Sequence, residues 1–221
     1  MTTAPGPGSG LGALLRRRWR WTVAGGALLL VVALLAWPLF TYAGIPADPF
    51  SSAPDACELL SDQTVREIVR DEPSAQAGDS DDRPSGSALG LAHKTRQRVC
   101  HYRGGPGEPT VDVSVHWYTS TQFNLGPTGA ERAERHFHAT FEVGDLTWDD
   151  CSYQLRDSRG NVCGARYSPS GANVFLQREN LFIRVSLNAL REGAGKLPDG
   201  WLEQRIDEVA EDVLATLDAA A

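Results

Sequence analysis

Alternating hydrophobic and polar residues in the second half of the chain predict β-strands. In residues 110–119, Val111, Val113 and Val115 share one face and polar residues occupy the other. Residues 181–188 show the same period of two, with Arg184, Ser186 and Asn188 on the polar side. Shorter runs predict further strands at 98–103, 162–167 and 172–178, with turns at 104–107, 168–171 and 179–180.

Three other segments have a helical period. Ser61 is a suitable N-cap for a helix over 61–70, and an Arg- and Glu-rich helix is predicted over 128–141. The last helix starts near Asp199, and its apolar stripe is Leu202, Ile206, Val209, Val213 and Leu217. Residues 71–92 are rich in Asp, Ser, Gly and Pro, and we interpret them as a mobile surface loop.

The order of these elements predicts an α+β domain over residues 57–219. One antiparallel sheet would carry the N-terminal and C-terminal helices on one face. About 160 residues suffice to bury a core, and no internal repeat is visible.

Residues 21–45 form a different pattern, an uncharged run that predicts a transmembrane helix. As a helix the run would be roughly 37 Å long, enough to cross a hydrocarbon core of about 30 Å. The alternative is a cleaved signal peptide, whose apolar region is usually only about 7–15 residues long. We therefore favour an uncleaved anchor, followed by a short tether over 46–56.

Charge is divided sharply along the chain, whose net charge is −7. Residues 1–45 contain four basic residues and no acidic one, whereas the remainder contains 17 basic and 28 acidic residues. The positive-inside rule predicts a cytoplasmic tail over 1–20 and an extracytoplasmic domain, that is, a single-pass protein of the cell membrane. An acidic domain repels phosphates, so we expect no nucleic-acid partner. The arginines that set this topology are Arg16, Arg17, Arg18 and Arg20.

All four cysteines, Cys57, Cys100, Cys151 and Cys163, lie in the predicted outer domain. An even number in an oxidising compartment predicts two disulfides. Three pairings are possible, and we favour the sequential one, 57–100 and 151–163. A zinc site is the alternative, but no Cys-x-x-Cys occurs and the spacings of 43, 51 and 12 fit no zinc ribbon. We expect no metal and no cofactor.

Histidines are the first candidates for chemistry. On the predicted helix, His136 and His138 would lie about 200° apart and would not converge on a metal with Asp149 or Asp150, so we interpret them as solvated. His116 is expected to be an exposed strand residue near Asp112 or Tyr118. His93 and His101 show no specific signal.

Other motifs are weaker still. Asp79, Asp81 and Asp82 lack the spacing of a calcium loop, and Gly193–Lys196 lacks the residues of a phosphate loop. The sequence contains no Gly-x-Ser-x-Gly, Ser-x-x-Lys or His-Glu-x-x-His motif. Trp148, Asp149 and Asp150 could form an exposed aromatic and acidic patch that anchors an interface. We favour the alternative, in which Trp148 is a core residue.

Two short motifs carry a family resemblance. The run from Asp55 to Ser61 (Asp-Ala-Cys-Glu-Leu-Leu-Ser), followed by a helix and by Cys100-His-Tyr102 on a strand, resembles a family of actinobacterial secreted proteins. Its members are small lipoproteins and membrane-anchored ectodomains of unknown function, similar in shape to extracellular sensor domains of mycobacterial serine/threonine kinases. The resemblance covers about residues 55–218 and implies a 57–100 disulfide and a closing amphipathic helix.

This chain departs from that family in two ways, and the family assigns it no catalytic residue. Its predicted anchor is a helix rather than a lipid on cysteine, and Cys151 and Cys163 have no matched positions. We therefore expect a non-enzymatic, membrane-anchored module that binds a protein, lipid or glycan of the cell envelope. The alternatives are an envelope hydrolase that joins His136 or His116 to a nucleophile or carboxylate, and a ligand-sensing partner of a signalling protein.

Overall fold

The computed structural model describes residues 31, 32, 34, 48–70, 73–82, 95–120, 127–144, 146–189 and 198–220. The chain divides into two compact units, Met1–Ile45 and Pro46–Ala221. The second unit contains all the elements discussed below.

The predicted membrane segment and its arginines lie outside the described residues, apart from Val31, Val32 and Leu34. These three residues are helical, and half or more of each side chain is exposed. Among the residues that the structure describes, no helix is both long and apolar enough to span a bilayer. His93 and the segment Gly193–Lys196 also lie outside the described residues.

The α+β prediction is confirmed by three helices and seven strands in the described part of Pro46–Ala221. The helices are α1 (Asp62–Ile68), α2 (Gly129–Gly144) and α3 (Trp201–Ala220), and a short 3-10 turn covers Trp148–Asp150. The strands are β1 (Ser74–Asp82), β2 (Thr95–Arg103), β3 (Thr110–Tyr118), β4 (Tyr153–Asp157), β5 (Gly160–Ser168), β6 (Gly171–Arg178) and β7 (Leu181–Asn188).

The seven strands form one antiparallel sheet in the order β1-β2-β3-β7-β6-β5-β4. Two meanders, β1 to β3 and β4 to β7, are joined edge to edge where β3 pairs with β7 and Val113 lies opposite Val185. The chain crosses from the first meander to the second through α2, so α2 lies over the central strands β3, β6 and β7.

One face of the sheet, which we call the α1/α3 face, carries the main apolar core, and charged strand residues such as Arg166 and Arg178 lie at its margins in ion pairs with α3. The predicted stripe of the last helix is buried there, with Ile206 and Leu217 fully inaccessible. The valines of β3 and alternate residues of β6 and β7 complete the same core. The N-terminal and C-terminal helices therefore share one face, as the sequence predicted.

Gly164 shows how closely α3 approaches the sheet. A Cβ atom at this position would lie only 2.1 Å from Cγ2 of Ile206. The absence of a side chain at position 164 of β5 therefore allows the close approach of α3 to this strand. Any larger residue at this position requires a shift of buried atoms.

The opposite face, the α2 face, is only partly covered. Phe137 of α2 is fully buried against Phe175 and Phe182 of the sheet. Cys151 and Cys163 belong to the same small cluster. The part of this face that α2 leaves open carries polar side chains, which the next subsection describes.

The two disulfides confirm the sequential pairing. Cys57 is bonded to Cys100 on β2, and Cys151, after the 3-10 turn, is bonded to Cys163 on β5. The first bond fixes the segment before α1 to the first meander, and the second closes the start of the second meander.

Two strands were absent from the sequence prediction. The mobile loop predicted for 71–92 is wrong over Ser74–Asp82, which pairs along its whole length with β2. β4 was also missed. Both are edge strands whose described side chains are exposed or only partly buried, so no fully buried face imposes the apolar alternation that reveals an interior strand.

Residues 48–56 of the predicted tether lie against the domain. The indole of Trp117 donates to the Phe50 carbonyl at 2.8 Å, and the Asn180 amide donates to the same oxygen at 3.0 Å. Asp48 accepts hydrogen bonds from the Ser120 amide at 2.8 Å and hydroxyl at 2.6 Å. This segment is therefore fixed at the strand ends near the β6–β7 turn.

Candidate functional site

A groove opens on the α2 face beside the second half of α2. Its cavity has a volume of about 720 Å³. The side chains that matter for its chemistry are His136 and Thr140 from α2, Tyr167 from β5, Asn173 and Phe175 from β6, and Arg184 from β7. Since β5, β6 and β7 are neighbours in the sheet, strand register brings Asn173, Phe175 and Arg184 together. Tyr167 joins them from the irregularity of β5 between Arg166 and Ser168, where its ring lies against Gly171.

The open part of the α2 face carries a row of polar residues, which we call the polar strip. The strip consists of His101, Asp112, Asn173, Ser186 and Asn188. The Ser186 hydroxyl donates to Oδ1 of Asn173 at 2.8 Å, and Nδ2 of Asn188 donates to Oδ2 of Asp112 at 3.5 Å. The strip thus continues the groove across four strands as a surface of amides, a carboxylate, a hydroxyl and an imidazole.

Arg184 supplies the positive charge of the groove. Its Nε donates to Oδ1 of Asn173 at 3.2 Å, and its guanidinium lies 5.7 Å from the centre of the Phe175 ring. No described carboxylate forms an ion pair with Arg184, and the described lining of the cavity contains no acidic residue. Arg166 also borders the cavity, but its guanidinium is paired with Glu203 at 2.6 Å. Among the described residues that line the cavity, Arg184 is therefore the cation without an ion-pair partner.

Tyr167 lies at one end of the groove with half of its surface exposed. Within the described part of Pro46–Ala221, it is the one large hydrophobic side chain that is this exposed. Its hydroxyl donates to Oδ1 of Asn188, and its ring passes over Gly171, where a Cβ atom would lie 2.3 Å from Cζ. A hydrogen bond and a missing side chain therefore hold the ring in place.

His136 closes the inner side of the groove, and its prediction as a solvated histidine is wrong. The ring is half-buried and stacks on Phe182 at 4.2 Å, while Nδ1 is hydrogen-bonded to the Tyr118 hydroxyl. Burial lowers the pKa of His136 below its ordinary value, because the charged imidazolium is poorly solvated there. The imidazole is therefore neutral at neutral pH and adds little positive charge to the groove.

The other helical histidine is as expected. His138 is exposed and lies 3.9 Å from Glu134, on a different side of α2 from His136. The two residues do not converge. Within the described ranges, no group of three or more His, Cys, Asp or Glu side chains is arranged to hold a metal ion.

His116 is not the exposed strand residue that the sequence predicted. Its side chain is partly buried, with its ring 4.9 Å from that of His136 and 5.7 Å from that of Phe182. The reason is that α2 packs over this end of the polar face of β3, which a single-strand pattern does not reveal.

The sequence missed a pairing between His101 and Asp112. Nδ1 of His101 lies 2.6 Å from Oδ1 of Asp112, and both side chains are 38% exposed. A carboxylate on Nδ1 is the arrangement that orients a histidine base in hydrolases. In the described residues, no hydroxyl or thiol is hydrogen-bonded to His101. The register of the β2–β3 hairpin, which places residue 101 opposite 112, was the signal that could have revealed this pair.

The remaining candidates have structural roles. Trp148 is partly buried in the α2-face core beneath the guanidinium of Arg156, which lies 3.7 Å from its ring centre. Asp150 accepts hydrogen bonds from the Thr147 amide and hydroxyl, and these bonds lower the pKa of its carboxyl group. Asp79 lies on β1 and is 3.5 Å from Nε of Arg98.

Sequence comparison adds no assignment to this geometry. The chain matches no known protein family, and no curated protein sequence is significantly similar to it.

Proposed function

We propose that this chain is a non-enzymatic binding module of the cell envelope. In this proposal a helix over residues 21–45 anchors it in the membrane, residues 1–20 are cytoplasmic, and the α+β domain is extracytoplasmic. The uncharged run, the preceding arginines and the two disulfides support that location. Membership of the actinobacterial family that the sequence resembles is part of the proposal.

The groove is the single observation that carries the binding role. It is concave, it combines an exposed aromatic ring with a guanidinium that no described carboxylate pairs, and it lies on a rigid sheet. Clefts with a few convergent polar groups are where proteins bind small molecules or parts of larger ones. A guanidinium without a carboxylate favours an acidic partner, whether a protein, a lipid or a glycan.

Site-specific crosslinking in intact cells tests this role. Photo-crosslinking residues would replace Ala139, which lines the groove on α2, or Ala215, an exposed alanine on α3. We expect the full-length chain to form a defined adduct through position 139 and none through position 215. Identical adducts from both positions, or none from either, would contradict a role for the groove.

The proposed location has its own test. N-terminal sequencing of the chain purified from membranes should return the uncleaved N-terminus. A mature chain that begins near Ala43 or Ala47 would show that the apolar run is a signal peptide and would remove the anchor from the proposal.

An envelope hydrolase is the second candidate, and the His101–Asp112 pair is the observation in its favour. In this alternative, Asp112 orients His101 as a general base for water or for a substrate hydroxyl. Hydrolysis of ester, amide or glycan substrates by the wild-type chain, abolished in His101→Gln, would establish this alternative. Equal background rates for wild type and variant would exclude it.

A further inference from the structure

We propose that the groove binds a saccharide that carries an anionic group, a carboxylate or a phosphate. This inference rests on the proposed binding function and names the chemical class of its ligand. Three features support it in turn: a fixed aromatic ring, a guanidinium held at its Nε side, and the polar strip beside them.

The ring of Tyr167 is suited to stack on a sugar. Aromatic side chains offer a rigid apolar surface with little conformational freedom to lose, and the apolar C–H face of a pyranose ring matches such a surface. Gly171 beneath the ring and Asn188 at its hydroxyl fix its position before any ligand arrives. An exposed aromatic ring held in this way is more typical of a binding platform than of a loosely attached surface side chain.

Arg184 is suited to bind the acidic group. Its Nε is occupied by Asn173, which leaves the two Nη atoms as donors for a carboxylate or phosphate. Both Arg184 and Tyr167 line the same cavity. One ligand of the size of a sugar or a short oligosaccharide can therefore contact both residues.

The polar strip supplies groups that match sugar hydroxyls. Ser186 and Asn188 are partly exposed. The Ser186 hydroxyl donates its proton to Asn173 and can still accept a hydrogen bond, and the Asn188 amide keeps one N–H and one lone pair beyond its bonds to Asp112 and Tyr167. Sugar hydroxyls both donate and accept, so a surface of amides and hydroxyls satisfies them without extensive apolar burial. A lipid chain would need a deeper apolar channel.

An acidic peptide fits the site less well. β5, β6 and β7 are each paired on both sides, so the groove has no free strand edge that could bind the backbone of an extended peptide. Such a peptide would contact Arg184 but would have no main-chain partner in the described sheet.

Binding measurements on the full-length chain in detergent micelles test the ligand class. The probes are a tetrasaccharide of alternating glucuronic acid and N-acetylglucosamine, a phosphorylated disaccharide, neutral tetra-N-acetylglucosamine, inorganic phosphate and tetraglutamate. We expect one of the two acidic saccharides to bind about tenfold or more tightly than the neutral saccharide, phosphate or the peptide. Which of the two binds distinguishes a carboxylate from a phosphate.

Variants separate the contributions of ring and charge. Arg184→Gln should weaken the binding of the acidic saccharide about tenfold and leave the affinity for the neutral saccharide unchanged. Tyr167→Ala should weaken the binding of both saccharides, whereas Tyr167→Phe, which keeps the ring, should retain most of the affinity. Arg156→Gln removes a positive charge outside the groove and should have no effect. Intact disulfides and an unchanged melting temperature would show that each variant is folded.

Three results would overturn the inference. These are equal affinity for neutral and acidic saccharides, tighter binding of tetraglutamate than of any saccharide, and no binding of any saccharide. If no saccharide binds but crosslinking through position 139 still yields a defined adduct, the ligand class is wrong and the binding function stands. If both experiments fail, the binding function is wrong as well.

Discussion

The two faces of the sheet differ in what covers them. The α1/α3 face is closed by two helices over the main apolar core, whereas the α2 face has a smaller apolar cluster around Phe137 and leaves a groove and the polar strip uncovered. The same strands supply both faces, since alternate residues point in opposite directions. One face can therefore stabilise the fold while the other keeps side chains such as Arg184 and Tyr167 available to a ligand.

Removal of the disulfides should have the largest effect on stability. It also compares the two meanders of the sheet by how much free energy of unfolding each loses. Replacing Cys57 and Cys100 by alanine should lower the free energy of unfolding by about 4 kcal/mol, because this bond closes the longer loop in the unfolded chain. The same change at Cys151 and Cys163 should cost about 3 kcal/mol. Urea unfolding of each double variant measures both values, and the reverse order would contradict the loop-length argument.

Truncation of one side chain on each face tests the comparison directly. Ile206→Ala removes fully buried atoms from the α1/α3 face and should cost about 3 kcal/mol. Ser186→Ala removes one hydrogen bond to Asn173 on the open face and should cost about 1 kcal/mol or less. Equal losses in the free energy of unfolding, measured with urea, would mean that side chains on the open face stabilise the fold as much as those in the buried core.

Two glycines, one on each face of the sheet, allow a finer comparison of the two faces. Gly164→Ala meets Cγ2 of the buried Ile206 and should destabilise the fold by about 2 kcal/mol. Gly171→Ala meets the ring of Tyr167, which is half exposed and can swing away, so its cost should be below about 1 kcal/mol. Thermal unfolding separates the two. Gly171→Ala should reduce the affinity for the saccharide because it displaces the ring of Tyr167. Unchanged affinity would argue against a role for the position of this ring in binding.

The smallest effect is the pH dependence of His136. Burial lowers its pKa in the folded state, so the unfolded chain binds the proton more readily. Its contribution to stability is therefore complete above the ordinary histidine pKa of about 6.5 and is lost as the pH falls through the lower folded value. Between pH 7.5 and pH 5.5, roughly the range in which histidines titrate, the wild type should lose more stability than His136→Gln. Parallel curves in chemical unfolding would contradict this assignment.

Burial explains which elements the sequence could predict. β3, β7 and α3 each place one face in a core, so the spacing of Val111, Val113 and Ile206 reveals them. β1 and β4 lie at the sheet edges with mostly exposed or partly exposed side chains, and their sequences resemble loops. The sequential disulfide pairing that the sequence favoured is the pairing that the structure shows.

The groove could be predicted only in part. The period of two placed Arg184 on the same face as Ser186 and Asn188. It did not show that Tyr167 and Asn173 would join them, because this depends on the pairing of β5, β6 and β7. It also did not show which part of the face α2 would cover, and that coverage decides that His136 is half-buried while Tyr167 is exposed.

The central pairing of β3 with β7 has a consequence for the order of folding. These strands lie about 70 residues apart in the chain, so the sheet is completed only after β7 has been synthesised. Each disulfide, in contrast, joins cysteines on the same side of that junction, Cys57 with Cys100 before it and Cys151 with Cys163 after it. Because both cysteines of the first pair precede both cysteines of the second pair in the chain, neither disulfide requires β3 and β7 to have paired.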